Sequence, residues 1–155
     1  MRNTIILILF AVSLVFAAVQ KGDPAPDFKL HCFGKKKEYK LSDYKGKVIV
    51  LTWFSPFCVY CRQEIKWLDK LALDYKKSNV VFFLLYYNSR QSVKPFQEKC
   101  KNLVFLDDSN NVAWKSYVFN KFLPVNYIIN KEGKVSLRTN SISQKEMKQT
   151  IDELK

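Results

Sequence analysis

The stretch Trp53-Phe54-Ser55-Pro56-Phe57-Cys58-Val59-Tyr60-Cys61-Arg62 sits between two runs of different period. Before it, Lys47 to Thr52 (K-V-I-V-L-T) has the composition of a buried strand. After it, Gln63 to Lys77 reads as an amphipathic helix, with Ile65, Leu68, Ala72 and Tyr75 at helical spacing and charged residues between them. A Cys-x-x-Cys pair at such a strand-to-helix junction has a mechanical meaning. The first sulfur lies where the N–H groups and the macrodipole of a helix N-terminus favour negative charge, so its thiolate is stabilised and reactive. The second lies one turn along, in reach to close a disulfide or release a bound partner. The stretch reads as dithiol redox chemistry.

Two other uses of this spacing compete. Zinc needs four ligands, and the remaining candidates, His31, Cys32 and Cys100, are scattered singly along the chain. No metal is therefore expected. A purely structural disulfide is the second, but this spacing closes a tight loop where cross-links stabilise least.

Outward from the motif, the chain reads as one domain with two hairpins. Gly22 to Asp27 is a Pro-rich, irregular approach, and Phe28 to Phe33 alternates in part, as an edge strand would. Gly34 to Lys37 is a turn, with Glu38 to Leu41 pairing back, and Ser42 to Gly46 suggests a helical turn. Val80 to Tyr87 (V-V-F-F-L-L-Y-Y) is a continuous apolar run that belongs in the centre of a sheet covered on both faces. Ser92 to Lys101 is predicted helical, with Pro95 in its first turn, where a missing N–H costs nothing. Leu103 to Leu106 is a short strand, and Asp107 to Asn111 caps a short helix through Tyr117. Val125 to Ile129 and Val135 to Thr139 form a hairpin around Asn130 to Lys134. Ser143 and Glu146 make a capping box for a closing helix that buries Met147, Ile151 and Leu154. This order predicts an α/β fold, a mixed central β-sheet flanked by helices with an N-terminal β-hairpin.

The N-terminus carries an address. Met1-Arg2-Asn3 is a small positive region, Thr4 to Ala18 is apolar but for Thr4 and Ser13, and Val15-Phe16-Ala17 is a small-residue cleavage signal. Residues 1–17 are expected to be a signal peptide, or an uncleaved anchor, ahead of a folded domain over 18–155. The run is short for a membrane span, which needs about 20 residues. Either outcome places the domain outside the cytosol, where disulfides form and must be managed. The formal net charge of +12 comes mostly from scattered lysines, clustered at Lys35-Lys36-Lys37 and Lys76-Lys77. Its ordinary meaning is a solvated surface. Its functional meaning is attraction to acidic partners or an anionic membrane face. No stacking aromatics interleave it, so nucleic acid is not expected.

Three stretches together resemble a known family. Gly22 to Phe28 with Leu41-Ser42-Asp43-Tyr44-Lys45-Gly46-Lys47, the segment Trp53 to Glu64, and Leu123-Pro124-Val125 with Ile129 to Lys134 are similar to the thioredoxin superfamily, specifically its TlpA/ResA-like (redoxin-type) extracytoplasmic members. The resemblance implies a thioredoxin-like fold and a thiol–disulfide oxidoreductase serving cell redox homeostasis. Cys58 would be the accessible attacking thiol and Cys61 the buried resolving thiol. Pro124 would be cis, and with Leu123 and Phe57 would bind an extended substrate segment. Glu64, one turn after Cys61, would influence the thiols' protonation; a surface carboxylate favoured by the helix dipole is the alternative.

Partners implied are protein disulfides, apocytochrome c among them, and a membrane or extracytoplasmic thiol electron donor. The protein would act as a periplasmic or secreted monomer without a cofactor. A disulfide-forming oxidant of the same fold and a non-catalytic binding module stay open. Phe57 departs from the usual tryptophan, Thr52 stands where thioredoxin has a buried acid, and Val59-Tyr60 lacks the common Pro or Gly. A peroxidatic site fits poorly, because Leu51 stands where its proline is expected. Cys32 and Cys100 are either a second disulfide or buried free thiols.

Overall fold

The computed structural model describes residues 18–87, 93–118, 122–140 and 144–155. The expected signal segment 1–17, the start of the helix placed at Ser92, and the capping Ser143 lie outside the described residues. The elements are β1 (Lys29–Cys32), β2 (Glu38–Lys40), a 3-10 turn (Leu41–Tyr44), β3 (Val48–Phe54), α1 (Val59–Asp74) and β4 (Val80–Tyr86). There follow α2 (Lys94–Lys99), β5 (Val104–Asp107), α3 (Trp114–Tyr117), β6 (Val125–Ile129), β7 (Val135–Thr139) and α4 (Gln144–Leu154).

The strands form a seven-stranded mixed sheet in the order β2-β1-β5-β4-β3-β6-β7. β3, β4 and β5 run parallel, as β-α-β crossovers require, while β1, β2, β6 and β7 come from hairpins and pair antiparallel. The uninterrupted apolar run 80–86 occupies the middle of the sheet, as its composition demands. Strand alternation divides the core in two. On one face Val48, Val50 and Phe54 of β3 pack against Ile65, Leu68 and Leu71 of α1 and Met147 and Ile151 of α4. On the other, Ile49, Leu51 and Trp53 pack with Phe83, Leu85, Tyr117 and Tyr127.

The structure corrects several sequence readings. Helix α1 starts at Val59, not Gln63, and its regular turns end at Asp74, not Lys77. The apolar stripe begins only at Ile65, so hydrophobic periodicity could not see a first turn whose Val59 and Tyr60 point into solvent. β1 is not an edge strand: it lies between β2 and β5, and β2 takes the edge. Leu154 is half-buried at the end of α4, whereas Met147 and Ile151 are fully covered.

Cys32 and Cys100 are free and buried. Both line one pocket beside the β1–β2 turn and the start of β5, and no disulfide joins them.

Candidate active site

Strand β3 is buried throughout and delivers the chain to the sheet's C-terminal edge. Ser55 and Pro56 then turn it into α1, whose N-cap is Cys58 itself, with extended backbone (φ −82°, ψ 116°). The Cys61 N–H donates to Cys58 Sγ at 3.1 Å, so the sulfur does the capping work usually given to a serine or aspartate oxygen. Cys58 and Cys61 are joined as a disulfide. Cys61 is fully buried and Cys58 half-exposed, an asymmetry that leaves only the first sulfur open to another protein. Arg62 Nη1 donates to the Pro56 carbonyl at 3.0 Å and closes the loop from outside.

The Leu123–Pro124 bond is cis, and the Leu123 carbonyl faces the motif, with its oxygen 3.5 Å from Cys58 Sγ. Pro124 is buried and leads straight into β6, whose Val125 pairs with Trp53 in β3. Phe57, Val59, Tyr60 and Phe122 stand exposed around the sulfur, Phe57 and Phe122 each 72% accessible. Large apolar side chains this exposed mark a contact surface.

Beneath the disulfide lies a polar chain that is only partly legible in the sequence. Glu64 is completely buried, which overturns the alternative of a surface carboxylate. Asn126 Nδ2 donates to Glu64 Oε1 at 2.6 Å, and Thr52 Oγ1 donates to Asn126 Oδ1 at 2.6 Å. Thr52 and Asn126 are direct cross-strand partners, so strand pairing itself sets that hydrogen bond. Glu64 Oε2 has no hydrogen-bond partner among the described residues. Burial pushes the Glu64 carboxyl up to about 7, the Asn126 hydrogen bond opposing it. Sequence reasoning missed Asn126. Its signal was a lone amide in the otherwise apolar V-N-Y-I-I strand, a polar residue that a buried position tolerates only when paired.

The structure thus brings Cys58, Cys61, Leu123, Pro124 and Phe57 to one edge of the sheet. Glu64 follows Cys61 by three residues on the same face of α1, where positions three apart are neighbours. Among the described residues there is no cluster of three His, Cys, Asp or Glu side chains that could hold a metal ion.

Comparison with known proteins agrees with this geometry. The AhpC/TSA family model matches residues 21–138. The thiol-disulfide oxidoreductase ResA of Geobacillus thermodenitrificans is 28% identical over 168 residues, covering 100% of this chain and 95% of the relative. A ResA of Bacillus cereus is 30% identical over 120 residues, covering 76% of this chain and 68% of the relative. A crystal structure described as a putative thiol:disulfide interchange protein DsbE from Chlorobium tepidum superposes with a TM-score of 0.78 at 26% identity, over 88% of this chain and 99% of that one. The chain therefore belongs to the AhpC/TSA family and, with a thioredoxin-like fold and a Cys58–Cys61 disulfide at the head of α1, is a thiol–disulfide oxidoreductase.

Proposed function

We propose that the protein works as a reductase of disulfides in exported proteins, through a Cys58–Cys61 dithiol cycle. The Cys58 thiolate attacks one sulfur of a substrate disulfide, and the other substrate sulfur leaves and takes a proton. The resulting mixed disulfide is attacked at Cys58 Sγ by the Cys61 thiolate, which releases the second substrate thiol and leaves Cys58–Cys61 oxidised. A thiol electron donor outside the cytosol, in or near the membrane, returns the two electrons. Glu64, three residues after Cys61 on the same face of α1 and with Oε2 free of any hydrogen bond among the described residues, accepts the Cys61 proton before the second attack. Phe57 and the Leu123–Pro124 backbone hold the substrate segment beside Cys58.

The observation that supports this direction is the company kept by Cys58 Sγ. Outside the disulfide, its polar contacts among the described residues are one N–H and one carbonyl oxygen, that of Leu123. A strong oxidant needs its reduced form stabilised as a thiolate. Here the Leu123 oxygen opposes negative charge on Cys58 Sγ and offsets the single Cys61 N–H that favours it, which argues against a strong oxidant. The leader-like residues 1–17 support an extracytoplasmic location, cleaved or anchored.

The test is the reduction potential of the pair, by equilibration in a dithiothreitol or glutathione series. A value near about −270 mV is expected for a reductase, and one near about −120 mV would make the protein a disulfide donor. In parallel, Cys61→Ser should accumulate mixed disulfides with an oxidised apocytochrome c peptide, and Cys58→Ser should form none. Retained biological function in Cys58→Ser would leave the binding-module reading standing.

A further inference from the structure

The parallel strands β3, β4 and β5 all begin at the same end of the sheet, and the chain reaches them through residues 45–47, 75–79 and 99–103. The β6–β7 turn, 130–134, falls at that end too, because β6 runs antiparallel to β3 and brings Ile129 opposite Ile49. So does the β1–β2 turn, 33–37, where the Phe33 N–H donates to the Phe105 carbonyl beside the start of β5. These five stretches read K-G-K, Y-K-K-S-N, K-C-K-N-L, N-K-E-G-K and F-G-K-K-K. They hold eleven lysines, and Glu132 is their sole carboxylate. All but the half-buried Lys47 are exposed.

They form one surface. The Gly46 N–H donates to the Lys131 carbonyl at 3.0 Å, and Asn79 Nδ2 donates to the Gly46 carbonyl at 2.7 Å. Lys76 and Lys101 line one groove, and Lys101 and Lys35 line the next. Among the described residues none of these lysines is in an ion pair, whereas Lys29, Lys40, Lys148 and Lys155, outside the five stretches, each are. Asp69, Glu98 and Asp152 lie alongside the stretches, and positive charge remains in excess at this end.

The opposite end carries Cys58 and the exposed aromatic rings. The seven residues of β3 separate the two ends by about 23 Å, more than twice the Debye length of about 8 Å at physiological salt. An anionic plane would therefore draw in one end of the molecule and leave the other alone. Lysine side chains are flexible point charges, without the fixed forks of arginine that recognise one phosphate or carboxylate. That is a match to a plane of diffuse charge. We propose that this lysine-rich end docks on an anionic membrane through phospholipid phosphates, so that Cys58 faces away from the bilayer toward its substrates. The docking stands on the lysine distribution and is independent of the direction of electron flow.

Sedimentation of the full chain with phosphatidylglycerol-containing vesicles and with pure phosphatidylcholine vesicles tests it, across a sodium chloride series. The variant Lys35→Gln/Lys36→Gln/Lys76→Gln/Lys77→Gln/Lys131→Gln removes charge from the docking end. A control, Lys29→Gln/Lys66→Gln/Lys70→Gln/Lys115→Gln/Lys145→Gln, removes as much outside the five stretches. Circular dichroism confirms that both fold. The expected result is salt-sensitive preference for the anionic vesicles that falls about 10-fold or more in the first variant and far less in the control. Equal loss in both would reduce the effect to net charge and overturn the proposal. So would equal binding of wild type and both variants to neutral vesicles, which would assign adhesion to residues 1–17. Orientation is read separately, from the alkylation rate of reduced Cys58. Vesicles should leave it unchanged, and protection of Cys58 would mean that the aromatic end is the one that docks.

Discussion

Glu64 places a carboxyl group in the range where modest changes of pH alter its charge. Its folded-state value, about 7, stands above the ordinary 4.5, because burial penalises the anion more than the Asn126 hydrogen bond favours it. The native state therefore binds this proton more tightly than the unfolded chain. The resulting stability is fully present below about pH 4.5 and is lost as pH rises through about 7. Glu64→Gln should remove that slope and leave the variant more stable than wild type by about 2–3 kcal/mol at pH 8, measured by urea unfolding of the oxidised form. The same substitution should slow resolution of the mixed disulfide at neutral pH and flatten its pH profile. Equal resolution rates in both proteins would confine Glu64 to structure. Asn126→Leu should act in the opposite sense, moving the Glu64 titration further up by removing the amide that donates to its carboxylate.

The segment from β5 into α3 shows how one residue can organise an element. Asp108 is completely buried and accepts from Trp53 Nε1 at 2.9 Å, the Ala113 N–H at 2.9 Å and the Trp114 N–H at 2.8 Å. It ties the loop before α3 to the strand that carries the active site, and Trp114 in turn stacks on Tyr87. Asp108→Ala should cost about 2–4 kcal/mol in a denaturant titration, since three buried donors lose their acceptor at once. Asp108→Asn should cost less, because it keeps one acceptor oxygen. The D-D-S-N-N run was legible as a turn and cap, but which aspartate turns inward was not. That choice depends on Trp53, 55 residues away. The start of α1 was illegible for a different reason. Its first turn is held by a sulfur cap and exposes Val59 and Tyr60, with Cys61 alone turned inward, so it leaves no apolar stripe to read.

Across the whole molecule, the sequence specified most of the architecture because its signals were local. The hairpin strands Val125–Ile129 and Val135–Thr139 match their predicted limits, and the apolar 80–86 run lies mid-sheet. What was hidden required pairing over long distances: the internal place of β1, and the Thr52–Asn126–Glu64 chain, whose members come from three elements. Helix α4 closes the layer over β6 and β7 with only Met147 and Ile151 fully buried. Ile151→Ala should therefore destabilise the fold by about 2–4 kcal/mol, seen as an earlier urea midpoint with an unchanged slope.

An enzyme that handles disulfides risks attacking itself, and Cys32 and Cys100 show how this one is insulated. Both are buried at the end of the sheet away from Cys58, where they line one pocket, so neither competes with a substrate for the Cys58–Cys61 bond. The native protein should consequently keep a fixed electron count. A thiol reagent should find one reactive group, Cys58, in the reduced enzyme and none in the oxidised one, the buried thiols appearing only on unfolding. Slow scrambling during repeated turnover, the usual fate of an exported protein with spare cysteines, is blocked by packing alone.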